Sequence, residues 1–309
     1  MTKDVPISVM VRVPGKINLQ LSVGPKESDG YHNVVTVFQS VSLYDEVTIT
    51  REEMGVGLTA KISGDHTHGV PVDDTNLSCR AAMLMCEKYD LPLDLTISIK
   101  KSIPVAGGMA GGSADAAATI LALDSLFSLG LTRDEMHQVG SLLGSDVPFM
   151  LSGGTAVGRG HGDEVTAALS RGTYHWVLAL STAGLSTPAV YSECDRLREG
   201  MKISTPQVND HLLQALLTGD PVALGKTLVN DLQPAACSLK PALRLILDVG
   251  IDYGALGSIV SGSGPTVAFL VSDEDHALDL AVALTSSGVV GSVMRVSGPV
   301  PGARIAEIH

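Results

Sequence analysis

A run of small residues in the middle of the chain has the make-up of an anion-binding loop. Pro104-Val105-Ala106-Gly107-Gly108-Met109-Ala110-Gly111-Gly112-Ser113-Ala114-Asp115-Ala116-Ala117 begins where a strand-like segment ends and runs into an alanine-rich helix. Glycines, with Ala106 and Ala110, leave the backbone bare, so its N–H groups can approach a ligand closely. The helix is expected to start near Ser113, and helix N-termini carry free N–H donors and partial positive charge. Together these features make a cradle for phosphate. A glycine-rich turn also serves as a plain turn, but the polar pair Ser113 and Asp115 at the helix start favours the anion site.

Two further residues have the chemistry to act beside such a cradle. Lys16 sits at a bend made by Pro14-Gly15, on the polar face that it shares with Asn18. A lysine at a strand start is ordinarily a solvated edge charge, and it gains interest here from the separate phosphate signal. Asp146 follows a helix and precedes the apolar run Val147-Pro148-Phe149-Met150-Leu151. It reads either as a local turn cap or as a carboxylate at the rim of a core, a candidate general base. Tyr31-His32, just after the turn signal Asp29-Gly30, is either a hairpin flank or an aromatic and a hydrogen-bonding ring suited to a nucleobase. His66 and His68 share a polar loop and read as exposed histidines rather than a metal pair.

The elements that must position these residues follow from periodicity. Ile17, Leu19, Leu21 and Val23 alternate with polar residues, the period of a half-buried strand. Residues 34–50 are rich in β-formers, and 64–75 form a polar loop. A helix runs from Thr75 or Asn76 to about Tyr89, where Asp90-Leu91-Pro92 stops it. Leu95, Ile97 and Ile99 mark a strand leading to the glycine-rich loop. The helix after that loop is expected to end at Gly130 as cap. Thr132-Arg133-Asp134-Glu135 is a capping box for the next helix, which ends at Gly144. Residues 153–164 read as a hairpin and 176–180 as a strand. Thr187-Pro188 opens a helix that carries Tyr191, and 207–249 is mainly helical. Ser261-Gly262-Ser263-Gly264-Pro265-Thr266 is a second tight, amide-rich loop. A strand (267–271), a helix (274–287) and a short strand near 292–296 close the chain. Strands and helices mix without strict alternation, so the class is α+β.

Totals bound the function. A chain of 309 residues is long enough for two domains, expected at 1–168 and 169–309. A net charge of −12 without a basic stripe disfavours nucleic acid as a partner. The leading segment Met1 to Pro6 has no apolar signal region and no run reaches membrane-spanning length, so a cytoplasmic place and no membrane partner are expected. The cysteines, Cys79, Cys86, Cys194 and Cys237, show no C-x-x-C and read as buried free thiols. The central loop is no Walker A motif, since Ser113 stands where lysine is required. As a dinucleotide fingerprint it lacks the tight strand–turn–helix and the downstream acid. No G-x-S-x-G elbow points to a hydrolase.

Pro14 to Leu19, Pro104 to Ala117 and Ser261 to Thr266 together resemble the three motifs of the GHMP small-molecule kinases, and the match spans nearly the whole chain. Asp29-Gly30-Tyr31-His32 and Gly144-Ser145-Asp146-Val147-Pro148 are similar to the branch that acts on a cytidine diphosphate-linked sugar alcohol. Ala106 and Ala110 replace family glycines, Ala114 a second serine and Gly15 a common alanine. The resemblance implies a two-domain fold, with the active site in the cleft between an N-terminal ATP-binding domain and a C-terminal ferredoxin-like domain. It implies ATP as co-substrate, bound by residues 104–114, and Mg²⁺ on the phosphates with Ser113 as the nearby hydroxyl. Asp146 would accept the substrate hydroxyl's proton and Lys16 would hold it ionised. Tyr31, His32 and Tyr191 would take the cytosine, Asn18 the sugar alcohol, and Gly262, Ser263 and Gly264 the diphosphate. Asn76 and Lys101 are weaker candidates for adenine. Other members of the family, such as homoserine or mevalonate kinase or the related decarboxylase, remain the alternative enzyme reading. A catalytically silent nucleotide sensor is the alternative outside enzymes, and the Lys16/Asp146 pair speaks against it.

Overall fold

The computed structural model describes residues 6–181 and 183–309. Residues 1–5, which form most of the leading segment read above as free of a signal, lie outside the described residues. The spine is a pair of long antiparallel strands, β1 (Ser8–Lys26) and β2 (His32–Arg51). Their register shifts between Pro14 and Gly15 and again between Asn18 and Gln20. Such bulges bend a strand and re-aim its side chains, and here they bracket Lys16 and Asn18. The chain continues through β3 (Leu58–Gly64), α1 (Leu77–Tyr89), β4 (Leu95–Lys101), α2 (Gly111–Phe127), α3 (Arg133–Ser141) and α4 (Val147–Ser152). The hairpin β5 (Thr155–Arg159) and β6 (Glu164–Ala167) then joins β2.

The second half opens with β7 (Tyr174–Leu180) and α5 (Thr187–Leu197). A helical stretch follows: α6 (Asp210–Thr218), α7 (Pro221–Gly225), the short β8 (Val229–Asn230), α8 (Gln233–Leu239) and α9 (Ala242–Asp252). Next come β9 (Gly257–Val260), β10 (Val267–Val271), α10 (Glu274–Ser287) and β11 (Ser292–Gly298). The four strands of this half lie in the order β11-β7-β10-β9, the ferredoxin-like order, with every neighbouring pair antiparallel. The last strand, β12 (Arg304–Ile308), returns to the first sheet and pairs with β1, beyond which that sheet runs β12-β1-β2-β4-β3.

Two apolar cores fill the molecule. The first lies between the large sheet and α1 and α2, the second between the small sheet and α5, α8, α9 and α10. β7 serves both: Trp176, Leu178 and Leu180 point into the first core, Val177 and Ala179 into the second. Trp176 is fully buried and donates from Nε1 to Gln39 Oε1 on β2 at 3.0 Å.

The α+β class and the main elements stand as the periodicity implies, with local differences. α2 begins at Gly111, two residues ahead of Ser113, because Ala110 adopts the left-handed conformation (φ 59°) and makes the turn into the helix. Its C-cap is Ser128, also left-handed, rather than Gly130. α3 stops at Ser141, short of Gly144, and the apolar run after Asp146 is itself a helix, α4. β3, β9 and β12 were not read from the sequence. β12 is an edge strand whose side chains are all exposed, so no alternation marks it, whereas β3 does alternate, Leu58, Ala60 and Ile62 against Thr59, Lys61 and Ser63.

One buried ionic cluster ties strand to helix beneath the glycine-rich loop. Lys101, the last residue of β4, bonds the carboxylates of Asp45 on β2 and Asp115 on α2, the latter at 2.7 Å. It also donates to the Gly111 carbonyl at 3.4 Å. Asp45 accepts in addition from the backbone N–H groups of Ser102 (2.6 Å) and Ile103 (2.9 Å). Burial opposes the charge on Lys101, but Asp115 and Asp45 outweigh it and hold the ammonium above the usual lysine range. Removing the cation would strand two buried acids. Lys101→Met should therefore lower folding stability by about 3 kcal/mol or more, read by urea denaturation. A variant within about 1 kcal/mol of wild type would show the cluster to be dispensable.

Candidate active site

A cleft of about 600 Å³ opens where the two halves meet, a size suited to small-molecule substrates. Backbone turns and the starts of α1, α2, α4 and α5 form its walls. The floor comes from β1, where the bulges leave Lys16, Asn18 and Gln20 buried although all are polar. Each must then find a partner. Lys16 Nζ donates to Asn18 Oδ1 at 2.6 Å, and Asn18 Nδ2 to Thr36 Oγ1 at 2.8 Å. Thr36 in turn donates to the Gln20 carbonyl at 2.8 Å. The Lys16 ammonium also lies 5.6 Å from the centre of the Phe38 ring, within cation–π range.

Asp146 meets Lys16 from the opposite wall, with Oδ2 3.7 Å from Nζ. It occupies the N-cap position of α4, yet its side chain makes no capping hydrogen bond. The carboxylate is thus not consumed by the local turn, so of the two readings its sequence setting left open the cap does not hold. Burial pushes the pKa of Lys16 below the usual lysine value, and the charge of Asp146 only partly restores it.

The glycine-rich loop arches over one end of the cleft. Pro104 to Gly108, and Ala110 to Ser113, line it, while the side chains of Met109 and Ala114 turn into the core. Ala106 (φ 50°) and Ala110 (φ 59°) both hold left-handed backbone, a conformation that costs an alanine roughly 1 kcal/mol. The second amide-rich loop is stitched to the first. Ser261 Oγ donates to the Gly108 carbonyl at 3.0 Å, and Thr266 N–H to the Gly107 carbonyl at 3.2 Å. Gly262 and Ser263 line the cleft, whereas Gly264 turns away toward Val260 and Leu185. Asn230 on β8 holds this loop by donating to the carbonyls of Val260 and Gly262, each at 2.7 Å. Ser263 Oγ pairs with Thr187 Oγ1 at the start of α5 at 2.8 Å.

At its other end the cleft is lined by Tyr191, against which His32 packs without itself lining the cleft. His32 is buried, and its Nε2 lies 2.7 Å from Asp195 Oδ1. Tyr191 packs against it, ring centres 5.2 Å apart and tilted by 35°. Burial, with Asp146 and Cys194 adding to it, pushes the Tyr191 hydroxyl up to about 12, so it stays protonated. Tyr31 is exposed outside the cleft and stacks on His161, which lines it, at 5.2 Å.

Lys16, Asn18, Asp146, Tyr191, Ser113 and the two loops thus share one cleft. Lys101 lines it too, but its ammonium is committed to the buried cluster. Asn76 caps α1 by accepting from Ser78 N–H at 2.8 Å, and donates to the Pro71 carbonyl at 2.7 Å. Sequence reasoning missed Asp195, His161, Thr36 and Asn230. Asp195 had a usable signal, since it follows Tyr191 by one helical turn and so shares its face. His161 stood in the noted stretch Gly158 to Gly162. Thr36 and Asn230 carry no local mark. The described residues contain no cluster of three or more metal-ligating acids, histidines or cysteines, and no helix long and apolar enough to cross a membrane.

The chain has counterparts among known proteins. Residues 76–154 match the model for the N-terminal domain of GHMP kinases, and residues 212–290 the model for their C-terminal domain. Over 301 residues the chain is 51% identical to the 4-diphosphocytidyl-2-C-methyl-D-erythritol kinase of Mycolicibacterium gilvum (strain PYR-GCK), covering 96% of this chain and 92% of that one. It also superposes on a crystal structure of 4-(cytidine 5'-diphospho)-2C-methyl-D-erythritol kinase with a TM-score of 0.73 at 29% identity, covering 93% and 98% of the two chains. A homoserine kinase from Cytophaga hutchinsonii gives a TM-score of 0.75 at 17% identity, over 99% of each chain. That last likeness is one of fold alone.

Gly108 is the contact between the loops, and it has no room for a side chain. A Cβ there would lie 2.0 Å from the Ser261 carbonyl oxygen, on a backbone already at φ +78°. Gly108→Ala should push the loops apart, cost about 2 kcal/mol or more of stability and weaken nucleotide binding at least about tenfold. Denaturation and titration with a fluorescent ATP analogue measure the two effects.

Proposed function

The chain belongs to the GHMP kinases, and on that premise we propose that it transfers the γ-phosphoryl group of ATP to the 2-hydroxyl of 4-diphosphocytidyl-2-C-methyl-D-erythritol. The products are the 2-phosphate and ADP, in the biosynthesis of isoprenoid precursors. The observation that carries the reading is the pairing of Lys16 with Asp146 at 3.7 Å, below a phosphate cradle and beside an aromatic base site, in one cleft. A cytoplasmic place accords with ATP as co-substrate and with four cysteines that are free and buried.

In this reading Asp146 accepts the proton of the attacking hydroxyl. The hydroxyl oxygen bonds to the γ-phosphorus, and the bond from that phosphorus to its bridging oxygen breaks, releasing ADP. Lys16 keeps Asp146 ionised and neutralises charge in the transition state. The N–H groups of residues 105–114 hold the ATP phosphates. The free N-terminus of α2 and the bare backbone of Gly111 and Gly112 lining the cleft are the features that fit such a ligand. Ser113 offers one hydroxyl there, which suits Mg²⁺ arriving on the nucleotide phosphates. Bound there, Mg²⁺ would offset phosphate charge. Asn18 orients the sugar alcohol, the amides of Gly262 and Ser263 face the substrate diphosphate, with Gly264 shaping their turn, and His32 and Tyr191 take the cytosine, with Tyr31 at the rim.

A coupled ADP-release assay with the cytidine compound tests the activity. Turnover of homoserine or mevalonate in its place would move the chain to another branch of the family. Asp146→Asn should lower kcat by about 10²-fold or more while ATP still binds. Near-normal turnover would remove Asp146 from the role of base. Because burial lowers the Lys16 pKa, raising the pH discharges its ammonium earlier than that of an ordinary lysine at 10.5. The alkaline limb of the kcat profile should therefore fall below that value, and Lys16→Arg should move the limb upward.

A further inference from the structure

The base site contains a charged residue that the proposed reaction does not use. Asp195 on α5 lies 2.7 Å from His32 Nε2 through Oδ1, while its Oδ2 lies 3.6 Å from Lys26 Nζ. His32 is buried, and Tyr191 covers its ring from the same helix face as Asp195. The following inference rests on the functional reading above. We infer that Asp195 selects the base: it locks His32 in the tautomer that recognises cytosine and rejects uracil.

The argument turns on which ring nitrogen carries the proton. An ionised carboxylate can only accept a hydrogen bond, so the proton in the 2.7 Å contact resides on Nε2. Neutral imidazole has one N–H, and fixing it at Nε2 leaves Nδ1 as a bare acceptor. Lys26 holds the other oxygen of Asp195, so the carboxylate keeps one oxygen for the ring. Among the described residues Nδ1 has no hydrogen-bond partner, yet it is not among the sealed, unpartnered buried atoms. It is therefore available to a ligand. Cytosine offers an exocyclic amine, a donor, at the position where uracil has a carbonyl oxygen. An acceptor at Nδ1 pairs with the amine and opposes the carbonyl. A site built to bond a donor group rejects the analogue that lacks it far more strongly than an apolar pocket would. Without Asp195 the ring exchanges tautomers, and the Nδ1–H form would welcome uracil. Asp195 is thus a positioning residue that acts through His32.

Two measurements test the assignment. The first is the ratio of kcat/KM for the cytidine substrate to that for its uridine counterpart, in wild type and in D195A. The ratio should fall by at least about tenfold in the variant, with the loss in KM for the cytidine compound and not in KM for ATP. An unchanged ratio overturns the inference. The second uses ¹⁵N-histidine NMR on the wild-type protein at neutral pH and does not depend on any variant folding. His32 should show a protonated Nε2 and a bare Nδ1. A proton on Nδ1, in the neutral or doubly protonated ring, overturns the inference. Failure of the wild type to phosphorylate the cytidine compound would instead overturn the functional reading itself.

Discussion

The structure depends on a lysine that never reaches solvent. Lys101 ends one central strand, and its ammonium gathers a carboxylate from β2 and another from α2. In a medium of low polarity, two acids and one base are tolerable only if their geometry is closed. The cluster is nearly closed: Asp45 accepts two backbone N–H groups besides the lysine, while Asp115 leaves one oxygen without a partner. Burial, the largest influence on Asp115, raises its pKa well above the usual carboxylate value against the pull of Lys101. The mechanical result is that the first turn of α2, and the loop before it, are fastened to the sheet from below. A loop so poor in side chains could not fix its own shape.

From above, that loop is fixed by the other half of the chain. The Ser261 hydroxyl and the Thr266 N–H reach carbonyls of Gly108 and Gly107. Two alanines held in left-handed backbone add a standing strain that only a firmly packed surround can sustain. The same logic applies on β1. Register shifts bring Lys16 and Asn18 inward, where they bond each other rather than water. The reactive groups are thus presented by bulges, caps and tight turns, while the regular strands and helices act as their frame.

This division explains what could be read without coordinates. Periodicity and capping chemistry announced the long helices and inner strands, and the capping box at Thr132 is present as read. Composition alone marked both amide-rich loops. The edge strand β12 failed to announce itself because all its side chains are exposed, while β3 carries an alternation of Leu58, Ala60 and Ile62 with polar residues. Lys101 illustrates a deeper limit. Its partners lie 56 and 14 residues away, and no local pattern distinguishes a lysine aimed into a core from one aimed at a ligand. Asp146 was ambiguous for the opposite reason, since a turn cap and a base have the same local sequence. Only the absence of a capping bond separates them.

The alternation along β7 has a consequence for how the molecule can move. Trp176, Leu178 and Leu180 belong to one core, and Val177 and Ala179 to the other, in a single unbroken strand. The two lobes therefore share a wall rather than a linker, and swinging them apart would tear apolar contacts on both faces of that wall. The distance between the glycine-rich loop and the Tyr191 end of the cleft is accordingly set by that shared wall.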